Sequence, residues 1–130
     1  MTPILAVAAC VLWAALAVFQ ISLAAGAPWG AFAWGGQHDG TLPGRLRVGS
    51  AVSVLLYAVF ALVTLDRAGL TDALPTAVVV PAAWVLVAYL ALGVVMNAIS
   101  RSRAERMTMT PTILVLLVCT LVVALGPAPA

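Results

Sequence analysis

GAPWGAFAWGGQHDGTLPGRLR, Gly26–Arg47, is the longest polar interruption in an otherwise apolar chain. It holds the only histidine, His38, two of the four tryptophans, Trp29 and Trp34, and two of the six arginines, Arg45 and Arg47. Gly26 suits the left-handed position that closes a helix, and Pro28 forbids continuation. The apolar run before it therefore reads as one helix, about residues 2–25. The aromatic spacing Trp29, Phe32, Trp34 predicts rings seated at a membrane–water interface. Gly35-Gly36, Gly40 and Pro43-Gly44 mark turns.

Outward from this stretch the composition sets the class. Of 130 residues, 65% are hydrophobic and 8% charged, whereas a soluble domain carries about 25% charged residues. The ten charges fall in three short windows, 39–47, 66–72 and 101–106. The charge-free segments between them are long enough to cross about 30 Å of hydrocarbon. The reading is an all-α, polytopic four-helix membrane bundle of one domain, residues 1–130. Its helices are expected at about 2–25, 46–65, 74–99 and 111–125, with loops at 26–45 and 100–110. A net charge of +2 gives no argument for nucleic acid. The first run has no Lys or Arg ahead of it and exceeds a signal-peptide core, so it is expected to remain as a membrane helix.

Local signals set the expected boundaries. Thr2-Pro3 resembles an N-cap followed by proline in the first turn. Gly69 closes the second helix, and the short connection makes helices two and three an antiparallel hairpin. Thr71 or Asp72 is expected to cap helix three, with Pro81 either kinking it or marking its regular start. Thr110-Pro111 reads as cap and first residue of helix four.

Four spans put the first and third loops on one side and the second loop with both termini on the other. Five arginines (Arg45, Arg47, Arg101, Arg103, Arg106) lie on the first side and Arg67 on the second. The positive-inside rule then places the five in the cytoplasm and both termini outside. This bias argues against the dual insertion of the small four-helix fluoride channels.

Helix association in lipid relies on close backbone approach and polar contacts. Ala6, Cys10 and Ala14 in helix one, and Ala88, Ala91 and Gly93 in helix three, are the expected contact faces. Ser50, Ser53 and Tyr57 share one face of helix two and should point inward. Gln20 and Asn97 lie at a similar depth, so a Gln20–Ser53–Asn97 contact, or a small polar cavity, is expected. No span carries a central carboxylate of the kind found in proton-coupled transporters. The four-helix small multidrug transporters carry one in their first helix, and this chain does not.

The candidate binding residues gather in the two cytoplasmic loops: His38, Arg45, Arg47, Asn97, Arg101, Arg103, Glu105 and Arg106. Guanidinium groups match phosphate bidentately. The cluster suits an anionic lipid headgroup, a phosphorylated small molecule or an acidic partner, beside its topological role. His38-Asp39 has the residue types of a general base and its orienting carboxylate, but neighbours in sequence rarely point at each other and no nucleophile motif accompanies them, so no catalytic residue is assigned. No ligand spacing points to a metal, and no cofactor is implied. Cys10 and Cys119 read as small hydrophobes that meet only if helices one and four pack together.

The motifs GAPWG-x-x-AWGGQH-x-x-x-LP-x-x-LR-x-x-S (Gly26–Ser50) and N-x-x-SRS-x-x-ER (Asn97–Arg106) resemble an uncharacterised family of short four-helix bacterial integral membrane proteins, rich in Ala and Val. The resemblance covers nearly the whole chain. It implies the fold and the bacterial inner membrane, and brings no activity and no site residue. The expected function is non-enzymatic: binding of an anionic lipid headgroup or a partner protein through the arginine-rich loops. The alternatives are an oligomeric small transporter or channel, and an intramembrane enzyme acting on an amphiphilic substrate through His38. Orientation is testable in intact cells with a membrane-impermeant thiol reagent. A cysteine at Gly40 should label only after the membrane is opened and one at Asp72 from outside; the reverse pattern would invert the topology.

Overall fold

Each apolar run becomes one long helix. In the computed structural model, which describes residues 1–127, these are α1 (Thr2–Ala24), α2 (Gly44–Arg67), α3 (Thr76–Ala98) and α4 (Arg103–Leu125). All four are long and apolar enough to cross a membrane. Single 3-10 turns at Gly30–Phe32 and Trp34–Gly36 interrupt the first loop. The helices run up and down in chain order, with α1 against α2, α3 against α4, and α1 against α4. The α2–α3 packing is the sparsest among neighbouring helices.

The inward stripes alternate steps of three and four residues. In α1 the stripe is Ala6, Ala9, Trp13, Leu16, Gln20 and Leu23; in α3 it is Val79, Ala83, Leu86, Leu90 and Gly93. This spacing keeps one seam facing a partner at a small crossing angle. Large residues such as Val7, Val11, Leu55, Val85 and Leu92 face outward, as expected where lipid is the solvent. The expected small-residue faces hold in part. Ala6 is buried and Gly93 lies against Ile113, but Ala14, Ala88 and Ala91 are exposed. In so alanine-rich a chain, small side chains alone do not mark the contact stripe.

The fourth helix differs from its expected start. It begins at Arg103, with Ser102 as N-cap accepting from the Glu105 backbone N at 3.2 Å. Ser102-x-x-Glu105 is the spacing of a capping box. The helix runs on through Pro111. Proline there removes one backbone N–H, and the flanking Thr112 Oγ1 donates to the Thr108 carbonyl at 2.8 Å. Thr110 lies inside the helix, and the third loop shrinks to residues 99–102. Helix α3 is continuous through Pro81 and starts after Pro75, while Thr71 donates to Asp66 instead of capping it.

The helix C-termini explain three arginines. Gly26 and Gly69 take positive φ and close α1 and α2 by paired backbone bonds: Gly26 N to Leu23 O (3.1 Å) with Ala27 N to Ser22 O (2.9 Å), and Gly69 N to Asp66 O with Leu70 N to Leu65 O (both 3.0 Å). The remaining carbonyls take guanidinium donors. Arg47 Nε donates to Ala24 O at 3.0 Å, and Arg106 Nη1 to Ser100 O at 2.7 Å just beyond α3. Arg67 Nη2 donates to Ala124 O (2.7 Å) and Gly126 O (2.8 Å), and its Nη1 to Pro127 O (2.7 Å). Beside it, Asp66 accepts from Ala73 N (3.0 Å) and Leu74 N (2.7 Å), folding the second loop back on the bundle. A cation at a helix C-terminus complements the aligned carbonyl dipoles.

Arg67 is only 4% exposed, so its loss strands carbonyls that water reaches poorly. Arg67→Gln should destabilise the fold by about 2–4 kcal/mol, read as a lower Tm of the purified protein, with Arg67→Lys recovering part of it. An unchanged Tm would mean that these carbonyls find other partners.

Candidate functional site

The first loop is a packed roof, not a free connector. Gly30 N donates to Gly40 O at 2.9 Å, closing the loop on itself. Ala33 and Leu42 are buried against Leu23, with Phe19 and Leu46 around them. Gly36 has φ +70°, and a Cβ there would come within 2.3 Å of the Ser102 Cβ. Only glycine permits this approach of the first loop to the third. Ser102 Oγ also donates to the Ala31 carbonyl. Trp34 is 37% exposed and rests one edge on α2: its Nε1 donates to Ser50 Oγ at 3.1 Å, and its ring lies over Gly49, where a Cβ would sit 2.8 Å from it.

Under this roof lies a cavity of about 440 Å³, bordered by all four helices. Trp13, Leu90 and Ile113 line its deep end, and Phe32, Trp34, Asn97 and Glu105 its upper end. On α4 its lining residues Glu105, Met109 and Ile113 share one face, a length of about 12 Å along the helix. The deep end is aromatic. Trp13 contacts Tyr57 and Phe60 at centroid distances of 5.3 and 5.2 Å, and Phe60 contacts Tyr89 at 5.1 Å. Toward the second loop the interior is filled by Val63, Val79, Ala83 and Ala124.

The cavity opens sideways. Tyr89, Leu92 and Met96 border it and are also exposed on the surface of α3. Tyr89 meets Phe60 of α2, and α2 against α3 is the sparsest packing between neighbouring helices, which puts the mouth between these two.

Polar side chains punctuate this apolar lining. Gln20 Nε2 donates to Tyr57 Oη at 3.2 Å, while Gln20 Oε1 is buried with no hydrogen-bond partner among the described residues. Ser53 donates to its own helix at Gly49 O (3.0 Å), and Asn97 Nδ2 to Gly93 O (2.7 Å). The expected Gln20–Ser53–Asn97 contact is thus replaced by Gln20–Tyr57, with Ser53 and Asn97 each bonded within its own helix. All four side chains line the one cavity. Ser50 is buried beneath Trp34. Glu105 is 7% exposed, and its Oε2 accepts from Ser100 Oγ at 2.9 Å.

The expected loop cluster therefore divides. Asn97 and Glu105 border the cavity. Arg47 and Arg106 are engaged with main-chain carbonyls. Arg45, Arg101 and Arg103 are exposed at the same end of the bundle. His38 is half-buried in the roof, with Nε2 buried and unpartnered among the described residues, and Asp39 is exposed. Trp13, Phe32, Tyr89 and Met109 join the site without having been singled out for it. For Trp13, Tyr89 and Met109 the available signal was their helical spacing from Gln20, Asn97 and Glu105; Phe32, in the first loop, carried no such signal.

Cys10 Sγ lies 3.8 Å from Ala61 O and Cys119 is buried in the core, both as free thiols. Among the described residues no three His, Cys, Asp or Glu side chains gather closely enough to hold a metal ion. The chain matches no family model, no curated protein and no solved structure.

Proposed function

We propose that this protein binds an amphiphilic molecule drawn sideways from the bilayer, with the apolar body against the aromatic deep end and the polar end beneath the first loop. The observation that carries this reading is the lateral cavity of about 440 Å³ with its polar groups gathered toward one end. A concave, largely apolar site with a few convergent polar groups is the usual form of a small-molecule site. The packed residues Val63, Val79, Ala83 and Ala124 favour a blind pocket over a continuous pore. Binding therefore accounts for the geometry better than channel conduction does. The His38 enzyme reading gains no support, because His38 does not border the cavity.

A second element rests on Arg45, Arg101 and Arg103, which are exposed at the cavity end of the bundle. In this proposal they face the cytoplasm of a bacterial inner membrane and hold that end against anionic headgroups or an acidic partner. Arg47 and Arg106 contribute less to such a surface, because their guanidinium groups are engaged with carbonyls.

Cavity filling tests the binding reading. A brominated fatty alcohol, 11-bromoundecanol, should quench the tryptophan fluorescence of the protein in phosphatidylcholine nanodiscs with a saturable component. Ser53→Phe, which projects into the cavity, should remove that component and leave Tm within a few degrees. Quenching that is linear in the wild type, or unaffected by Ser53→Phe, would reject the site.

A further inference from the structure

We infer that the cavity selects an amphiphile whose polar end is a protonated amine, with Glu105 as its counter-ion; this rests on the amphiphile-binding reading above. Glu105 is a buried carboxylate bordering the cavity, and Ser100 is its side chain's hydrogen-bond donor. Arg106, next in sequence, is turned away to the carbonyls of Ser100 and Arg101. The N-terminal turn of α4 and the Ser100 hydroxyl make a carboxylate tolerable here, but a carboxylate under an apolar roof still lacks a cation.

The balance of donors and acceptors points the same way. The Ser53 hydroxyl donates to Gly49 O, Asn97 Nδ2 to Gly93 O, and Trp34 Nε1 to Ser50. In each case a donor is engaged within the protein, and for Ser53 and Asn97 an acceptor oxygen is left over. Gln20 Oε1 is a further acceptor, buried without a partner. An ammonium group brings three donors and no acceptor, which complements such a set. Trp34, Tyr57 and Tyr89 border the same space, and aromatic rings attract cations rather than anions. A carboxylate or phosphate end would face Glu105 with like charge, and the donors open to it, the Tyr57 hydroxyl and the second N–H of the Gln20 and Asn97 amides, are neutral.

The test uses the full chain in phosphatidylcholine nanodiscs and three probes of equal chain length: dodecylamine, dodecanol and dodecanoic acid. Saturable changes in tryptophan fluorescence are measured against empty nanodiscs. The wild type should bind the amine about tenfold or more tighter than the alcohol, with the acid weakest. Glu105→Gln should bring the amine to within about threefold of the alcohol, leave the alcohol unchanged, and so isolate the charge. Glu105→Asp keeps the charge and should retain a preference for the amine, which guards against a folding defect in the first variant. Equal binding of amine and alcohol by the wild type, or an amine preference that survives Glu105→Gln, overturns this inference while leaving the cavity reading intact. Binding of all three probes that Ser53→Phe does not disturb overturns both.

Discussion

Arg67 ties the end of α2 to the end of α4, and the form of the molecule depends on that tie. Its guanidinium bonds to three main-chain carbonyls at the C-terminal end of α4 from a position 4% exposed. Asp66 beside it holds the second loop by its backbone N–H groups. In hydrocarbon or near its boundary, unsatisfied carbonyls are costly. These bonds close one end of the bundle, where Val63, Val79, Ala83 and Ala124 pack tightly. The other end is held by loops instead, and α2 against α3 is the sparsest packing between neighbouring helices.

This difference between the ends is what leaves room for the cavity. The roof depends on glycines that admit close contacts, Gly36 against Ser102 and Gly49 beneath Trp34. It covers a cavity without filling it. Bulky aromatic side chains at the deep end hold the helices apart, because Trp13, Tyr57, Phe60 and Tyr89 touch one another by their rings across three helices. Polar groups then collect at the cavity end beneath the first loop.

Much of the fold was legible in the sequence. Charge-free runs of membrane length, with glycines at the helix ends, specify four helices, and the positive φ of Gly26 and Gly69 follows from their place after apolar runs. The start of α4 was not legible in that way, because Thr110-Pro111 and Ser102-x-x-Glu105 both look like caps. The second prevails because Ser102 also joins the third loop to Ala31 in the first. The arginine roles were hidden for another reason. Arg67 reaches Ala124, 57 positions away, and a backbone carbonyl leaves no mark in a sequence. Of the site, Gln20, Ser53, Tyr57, Asn97 and Glu105 stood out as polar residues in or beside apolar runs. Their common cavity depends on packing that no spacing reveals. Glu105 falls within the third loop expected at 100–110, whereas α4 begins before it, at Arg103.

The central claim is that the space between α2 and α3 receives an amphiphile from the bilayer. Photo-crosslinking with a diazirine-bearing long-chain amine in nanodiscs, read by peptide mass spectrometry, tests it most directly. The account predicts saturable labelling centred on Met96, Met109 and Ile113, which border the cavity, and its suppression by unlabelled amine. Labelling spread over outward-facing residues such as Val7, Val11 and Val115, with no competition, would contradict it.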